Sequence, residues 1–207
     1  MLAAERLGML KKNMGFTLVE LMVTISILGM LLLAVAPSVA AVVQDTRARG
    51  IAEHLLQGLG KARIEAIKSN RNVMFSLVDQ VNDGCALSST SSAWVVSMDS
   101  PQGRCGHSAS IDTAPRIIQT FGLKDLAKGV DVQGMASDAS PASAGVTFNA
   151  FGQVELKPGA LMRIDVSHAG PSSRRFSIEV SPAGGIRLCD RAIAAGSGDP
   201  RACLSST

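Results

Sequence analysis

The stretch Gly15-Phe16-Thr17-Leu18-Val19-Glu20 opens an uncharged apolar run that continues from Leu21 to Val43. At a rise of about 1.5 Å per residue, this run as a helix is long enough to cross the roughly 30 Å hydrocarbon core of a bilayer. Three basic residues precede it, and basic residues beside a span favour the cytoplasmic side. We therefore predict a membrane-spanning helix over residues 16–43, with the rest of the chain across the membrane.

Glu20 is unusual because it places a carboxylate one turn into this apolar run. An unpaired charge inside a bilayer costs roughly 2.5–3.5 kcal/mol on insertion scales, so Glu20 calls for a cationic partner. If the backbone is cut between Gly15 and Phe16, the new α-amino group of Phe16 is such a cation, four residues before Glu20. That amine can pair with Glu20 of its own chain or of a neighbouring copy.

The glycine, phenylalanine and glutamate at this spacing, with two lysines just upstream, resemble the prepilin-peptidase signal of type IV pilins and type II secretion pseudopilins. The resemblance implies cleavage after Gly15, N-methylation of Phe16, and use of Glu20 when subunits stack into a filament. It also implies two kinds of protein partner. These are the prepilin peptidase/N-methyltransferase and the other pilins or pseudopilins of the filament.

Two other interpretations of the N-terminal stretch remain open. Ser38-Val39-Ala40 has the small-x-small pattern of a signal-peptidase site, which would make the mature chain begin near Ala41. A plain single-span anchor explains the length of the apolar run but leaves Glu20 without a role. In the preferred interpretation residues 1–15 are a leader peptide, and Met9 as the true start gives a shorter leader that fits the signal better.

The helical pattern continues beyond the apolar run. Apolar residues recur at spacings of three and four along one face, at Ile51, Leu55, Leu59, Ala62 and Ala66. This periodicity predicts an amphipathic helix over residues 44–70. From Val73 the pattern changes to short apolar and β-branched runs separated by glycine, proline, asparagine and serine. The sequence thus predicts an α+β fold, in which one long helix packs on sheet formed by residues 73–207.

Eight strands are predicted, at Val73–Val78, Trp94–Met98, Arg116–Thr120, Val146–Phe148, Gln153–Leu156, Arg163–Ser167, Phe176–Val180 and Ile186–Leu188. Residues 131–144 fit either an irregular strand or a loop. The segment Phe148–Val154 has the pattern of a hairpin, with Gly152 free to adopt a positive φ.

Three later segments resemble the GspH/FimT family of minor pilins and pseudopilins: Lys61–Ile67 on the helix, Phe148–Val154 in the hairpin, and Gly184–Cys189 near the C-terminus. The resemblance implies a pilin-like fold, with the helix wrapped by antiparallel β-sheets. It implies a single-pass protein of the inner membrane whose domain, residues 44–207, is periplasmic. Its function would be to help initiate assembly of a type IV pilus or a type II secretion pseudopilus.

Four cysteines in an exported domain favour disulfides. Three pairings are possible, and we prefer the sequence-local pairs Cys85 with Cys105 and Cys189 with Cys203. Each would stabilise the fold by about 3 kcal/mol in the chain-entropy treatment. Zinc is the alternative use of four cysteines, but the chain has no C-x-x-C pair and its three histidines are scattered. We expect neither a metal site nor a cofactor.

The small net charge argues against general attraction to nucleic acid or lipid, and the absence of catalytic motifs argues against an enzyme. The formal net charge of +3 falls to +1 without residues 1–15, because they hold three basic residues and one acidic residue. Global attraction to nucleic acid or anionic lipid is therefore not encoded in bulk charge. The chain has no G-x-S-x-G or H-E-x-x-H motif and no phosphate-binding glycine loop, so we do not expect an enzyme.

DNA contact is the alternative function, because FimT-type members of the family take part in DNA uptake during natural transformation. Arginines are concentrated near the C-terminus, and four are candidates for phosphate contacts: Arg174, Arg175, Arg187 and Arg191. Two features weaken this prediction. The chain has no tyrosine for base stacking. Only one arginine follows the C-terminal glycines, where DNA-binding relatives carry a G-R-x-R pattern.

Overall fold

The computed structural model describes residues 16–122, 127–136, 142–168 and 174–204, and, of these, the side chains outside 33–41. The predicted leader, including Gly15, lies outside the described residues. The chain divides into two compact units, residues 1–40 and 41–207. Helix α1, Leu18–Ser69, contributes residues to both units.

The described part of the first unit is the beginning of α1. Its large apolar side chains, from Phe16 to Leu32, are all exposed. Among the described residues, no helix reaches the combined length and apolarity needed to cross a membrane.

In the second unit α1 is amphipathic, as predicted. All five residues of the predicted apolar face are buried: Ile51, Leu55, Leu59, Ala62 and Ala66. On the opposite face Lys61 Nζ lies 2.9 Å from Glu65 Oε1. The helix ends where Asn70 adopts a φ of 51° and the Arg71 amide donates to the Ala66 carbonyl. A left-handed residue after the last turn is a common helix terminator, and the predicted end is confirmed.

Eight strands follow: β1 Val73–Val78, β2 Ala93–Ser97, β3 Ile117–Phe121, β4 Val130–Ala136, β5 Gly145–Phe148, β6 Leu161–His168, β7 Phe176–Val180 and β8 Ile186–Asp190. They form two four-stranded sheets, in the orders β3-β2-β1-β5 and β4-β6-β7-β8. Every pairing within them is antiparallel. The predicted fold class, a long helix packed on antiparallel sheets, is confirmed.

One predicted strand is wrong. Gln153–Leu156 is reduced to an isolated bridge between Val154 and Phe148. The reason is that the Val154 amide donates instead to the Pro182 carbonyl, outside the β5 ladder. Within the segment 131–144, for which a strand and a loop were both open, residues 131–136 form part of strand β4, which pairs along its whole length with β6. Residues 137–141 lie outside the described residues.

The main core joins the helix to both sheets, and a smaller apolar cluster surrounds the Cys85–Cys105 disulfide. Every fully buried apolar side chain among the described residues belongs to the second unit. Phe75 and Trp94 lie under the helix, with ring centroids 5.8 Å apart. Gly58 lets them approach, since a Cβ there would lie 2.8 Å from both rings. Because the second unit contains its own core, it meets the main requirement for folding independently.

Chain segments cover both edges of the second sheet. At the β4 edge the Gly134 amide donates to the Ser89 carbonyl, and the Gly134 carbonyl accepts from the Ser143 amide. At the β8 edge Ala202 forms a parallel bridge with Asp190. Both terminal strands therefore have partners outside the ladder.

Candidate functional site

The start of α1 has a specific cap that the sequence analysis did not recognise. The Glu20 amide donates to Thr17 Oγ1 over 3.2 Å, and the Leu21 amide donates to the Thr17 carbonyl. Thr17 is thus the N-cap, and Glu20 occupies the third helical position, where glutamate completes a capping box. The T-x-x-E spacing of Thr17 and Glu20 could have predicted this cap from the sequence.

Glu20 itself is exposed in the first turn of α1. Within the described residues, no cation lies within 4.0 Å of its carboxylate. The positive end of the helix dipole favours a carboxylate here by a few tenths of a kcal/mol up to about 1 kcal/mol. Cap and dipole give Glu20 a local role, but neither supplies a counter-ion for its charge.

The hydroxyl groups of Thr24 and Ser26, in the described apolar part of α1, are satisfied within the helix. Thr24 Oγ1 donates to the Leu21 carbonyl and Ser26 Oγ donates to the Met22 carbonyl, each over 2.8 Å. Side chains that bond their own preceding turn place no unsatisfied donor on the surface. Apart from Glu20, the segment Leu21–Leu32 can therefore be covered by apolar groups without further polar partners.

The outer face of the second sheet carries alternating charges in register. Arg163 is opposite Glu179, and Glu179 is opposite Arg187. Two residues further along each strand, on the same face, Asp165 is opposite Ser177, and Ser177 is opposite Cys189. Residues directly opposite on one face interact, and opposite charges stabilise the pairing. The ion pairs on this face form an ionic network in which Arg163 and Arg191 contact Asp165, and Arg187 contacts Glu179.

Arg187 and Arg191, two of the DNA candidates, belong to this network. Arg187 Nε lies 3.6 Å from Glu179 Oε2, and its guanidinium also donates to the Ala202 carbonyl. Arg191 Nε donates to Ser177 Oγ and lies 3.4 Å from Asp165 Oδ1. Both guanidinium groups are therefore already bound to acceptor groups of the domain.

Arg174 and Arg175, the other two DNA candidates, are exposed. The Arg174 amide donates to Asp45 Oδ1, near the beginning of the second unit, and the exposed Arg47 follows two residues later on α1. The Arg175 carbonyl accepts from the Arg191 amide. The structure therefore brings Arg174, Arg175 and Arg191 to one end of the second sheet. Arg187 lies four residues along β8, about 13 Å away at strand rise.

Both preferred cysteine pairs are bonded in the structure: Cys85 with Cys105 and Cys189 with Cys203. The second bond fixes the C-terminal segment against β8, where the Leu204 amide also donates to Glu179 Oε2. Glu179, Cys189 and Cys203 lie close enough together to suggest a metal site. However, the two sulfurs are bonded to each other and offer no thiolate ligand.

The three histidines make three different contacts. His54 stacks on Phe121 with ring centroids 4.4 Å apart, and His107 Nε2 lies 3.8 Å from Asp83 Oδ1. His168 Nε2 lies 2.8 Å from Asp45 Oδ1. In the described part of the chain these contacts bring no two histidines together.

Two loops are closed by arginine–aspartate pairs. Arg116 binds Asp99 through two nitrogens, and its hydrogen bonds hold the pKa of Asp99 below the ordinary value. The hydrogen bond from Arg201 is the main cause that lowers the pKa of Asp199 to about 2. These carboxyls remain ionised well into the acid range.

Comparisons with known proteins agree with this architecture. The prokaryotic N-terminal methylation motif matches residues 10–36. The family model described as type II transport protein GspH matches residues 52–184, more than half of the chain.

Two crystal structures of the type IV minor pilin FimU from Pseudomonas aeruginosa are similar to this chain, each at 18% sequence identity. One has a TM-score of 0.42 and the match covers 72% of this chain and 98% of FimU. The other has a TM-score of 0.44, covering 73% and 95%. No curated protein sequence matches.

The methylation motif covers the start of α1, and the GspH match covers the last third of the helix and both sheets up to the β7–β8 turn. On this evidence the chain belongs to the GspH family of type II transport proteins and carries a prokaryotic N-terminal methylation motif.

Proposed function

We propose that this chain is a minor pilin or pseudopilin that helps initiate a type IV pilus or a type II secretion pseudopilus. Cleavage after Gly15 and N-methylation of Phe16 by the prepilin peptidase would produce the mature subunit. Before assembly the subunit is held in the inner membrane by residues 16–43, with its domain in the periplasm. Because the family model is described as a type II transport protein, it supports a role in the type II secretion pseudopilus rather than in the pilus.

The observation that carries this proposal is the exposed apolar half of α1 with one carboxylate in its first turn. Packing such helices side by side removes their apolar surface from water or lipid. The carboxylate of Glu20 then needs the Phe16 amine of its own or a neighbouring chain. A shift of one step would leave a buried charge unpaired, which typically costs 3–5 kcal/mol. A pair between neighbouring chains would therefore fix the axial register of the filament.

Glu20→Gln separates capping from charge pairing. Glutamine can complete a capping box, so we expect helix formation and membrane insertion to be retained. It cannot pair with an amine as an anion, so we expect the subunit to be lost from sheared filaments or secretion to fail. The measurement is the amount of subunit in the membrane and filament fractions. Wild-type incorporation of the glutamine variant would contradict the proposal.

DNA binding is the second candidate function, favoured by the exposure of Arg47, Arg174 and Arg175 at one end of the domain. Guanidinium groups placed this way can contact phosphates without reading sequence. We expect Arg174→Ala with Arg175→Ala to weaken retention of the domain from Gln44 onward on DNA. The salt slope should fall by about one per lost phosphate contact.

Arg71→Ala is the matched control for this test, because Arg71 is also exposed but lies after the opposite end of α1. A wild-type domain that does not shift DNA at low salt would remove DNA binding as a function. Such a result would leave the structural function untouched.

A further inference from the structure

The three segments that resemble the pilin family meet at one point of the domain. Arg63 Nε, on α1, donates to the Gly152 carbonyl over 3.2 Å. A Cβ on Gly184 would lie 1.8 Å from that same oxygen, so the β7–β8 turn packs directly against the turn after β5. The contact joins α1 to the ends of both sheets and fixes the position of the Asn149–Gln153 turn.

This turn is rigid and presents an aromatic side chain to solvent. Asn149 Oδ1 accepts from the amides of Phe151 and Gln153, each over 3.0 Å. The Gly152 amide donates to the Asn149 carbonyl, and Gly152 has a φ of 73°. Phe151 is 82% exposed. A large exposed aromatic side chain is a frequent energetic anchor of protein interfaces.

Two isoleucines of α1 extend this apolar surface. Ile64 is 61% exposed and Ile67 is 49% exposed, one turn apart on the helix. Ile67 packs against Gly152, since a Cβ there would lie 2.7 Å from its Cδ1. One turn before Ile64, the space beside Gly60 is open to a distance of 4 Å. We call Gly60, Ile64, Ile67 and Phe151 the Phe151 patch.

The predicted membrane span does not cover the Phe151 patch. Ile67 lies 24 residues beyond Val43 on α1, about 36 Å at helical rise. This places it far outside a bilayer that ends at Val43. Contiguous apolar surface rimmed by charged residues, here Lys61 and Lys68, is typical of a protein contact.

The partner with matching chemistry is an apolar helix without charges. The chain itself has one: Leu21–Leu32 is uncharged, its large side chains are exposed, and its hydroxyls bond their own helix. We propose that the Phe151 patch binds the apolar N-terminal helix of a neighbouring subunit in the filament. The open space at Gly60 allows this helix to approach closely.

The proposal rests on the proposed filament function and names the receiving surface within it. The two surfaces differ, so the contact is heterologous, and repeated heterologous contacts build an open filament when they do not close into a ring. The same geometry lets each subunit offer its helix to one neighbour and its patch to another.

Photo-crosslinking in the assembling host tests the contact directly. The full chain would carry p-benzoylphenylalanine in place of Phe151, whose exposure allows the exchange. We expect a crosslink in the filament fraction that peptide mass spectrometry maps to the segment Phe16–Leu32 or its equivalent in a neighbouring pilin. The same photoreactive residue at Ile111, which is 63% exposed and outside the patch, should not give this product.

A crosslink from position 151 only to a folded domain, to DNA or to lipid would overturn the proposal, as would the absence of any crosslink in assembled filaments. A second measurement uses Ile64→Ser with Phe151→Ser, against Ile111→Ser. We expect at least a tenfold loss from the filament fraction for the double variant, with its thermal unfolding unchanged because both side chains are exposed.

The two proposals fail in different ways. If the wild-type subunit enters filaments and the double variant enters equally, the Phe151 patch is not the receiving surface, although the filament function stands. If the wild-type subunit is absent from the filaments and pseudopili of its host, the filament function fails, and with it the inference about the patch.

Discussion

His168, at the end of β6, and Asp45, near the start of the second unit, form a pair with Nε2 and Oδ1 2.8 Å apart. His168 is buried, and the same carboxylate oxygen accepts the Arg174 amide. One aspartate thus connects α1 to two separate parts of the second sheet.

Replacing Asp45 should loosen this connection. We expect Asp45→Ala to lower the free energy of unfolding of the domain from Gln44 onward by about 1–3 kcal/mol, because buried hydrogen-bonding groups lose their acceptor. Urea denaturation measures the change. Asp131→Ala, an exposed aspartate on β4, should be neutral within about 0.5 kcal/mol. Equal effects from the two substitutions would show that the pair with His168 is unimportant.

Two glycines on the same helix should respond to alanine in opposite directions. Gly58→Ala places a Cβ 2.8 Å from the rings of Phe75 and Trp94, and overpacking of this kind typically costs about 1–3 kcal/mol. Gly60→Ala enters open space and should stabilise by up to about 1 kcal/mol through helix propensity. Thermal unfolding distinguishes them, and a stabilised Gly58→Ala domain would contradict the packing.

Acid should destabilise the domain through its low-pKa carboxyls. Arg116 lowers the pKa of Asp99, and Arg201 lowers that of Asp199 from 3.8 to about 2. A lowered pKa adds stability above the unfolded-state value, and this contribution is lost as the pH falls through the folded-state value. We expect the unfolding midpoint to fall as the pH is lowered from about 4 to 2.

Asp99→Asn tests this pH dependence because it removes one of the titrating groups. The pH dependence of its unfolding midpoint below about pH 4 should be flatter than in the wild type. An unchanged slope in the Asp99 variant would mean that the ion pair with Arg116 does not contribute to acid sensitivity.

Loss of the bond between Cys189 and Cys203 should free the C-terminal segment. We expect the double serine variant to lose about 3 kcal/mol of stability in the chain-entropy treatment, with hydrogen exchange rising first at Ala202 and Leu204. The corresponding variant of Cys85 and Cys105 should lose a similar amount but keep C-terminal protection. Unchanged protection at Ala202 after removal of the second bond would show that the segment is held without it.

The sequence predicted the parts of the fold that depend on hydrophobic periodicity and on interactions between residues close together in the chain. The buried face of α1, the strands β1 and β7, and the end of the helix all follow from residue spacing and turn residues. The failed strand Gln153–Leu156 depended on a distant partner, since the Val154 amide bonds to Pro182. The residues close to Val154 in the sequence do not indicate this long-range hydrogen bond.

The same distinction between local and long-range contacts applies to the candidate functional residues. The Thr17 cap lies within one turn and was recoverable from its T-x-x-E spacing. By contrast, the distance of Arg187 from the exposed Arg174 and Arg175, and the contacts of Arg187 and Arg191 with acidic side chains, depend on cross-strand register. The meeting of Arg63, Gly152 and Gly184 joins segments up to 121 residues apart, so only the folded chain reveals it.

The covered edges of the second sheet have a consequence for how subunits can aggregate. An open terminal strand is a template on which other chains add strands, and subunits concentrated at a membrane are especially exposed to that risk. Here Ser89 and Ser143 occupy bonding positions beside β4, and the disulfide-held Ala202 occupies one beside β8. These contacts occupy positions on both edges of the second sheet where another chain would otherwise add a strand.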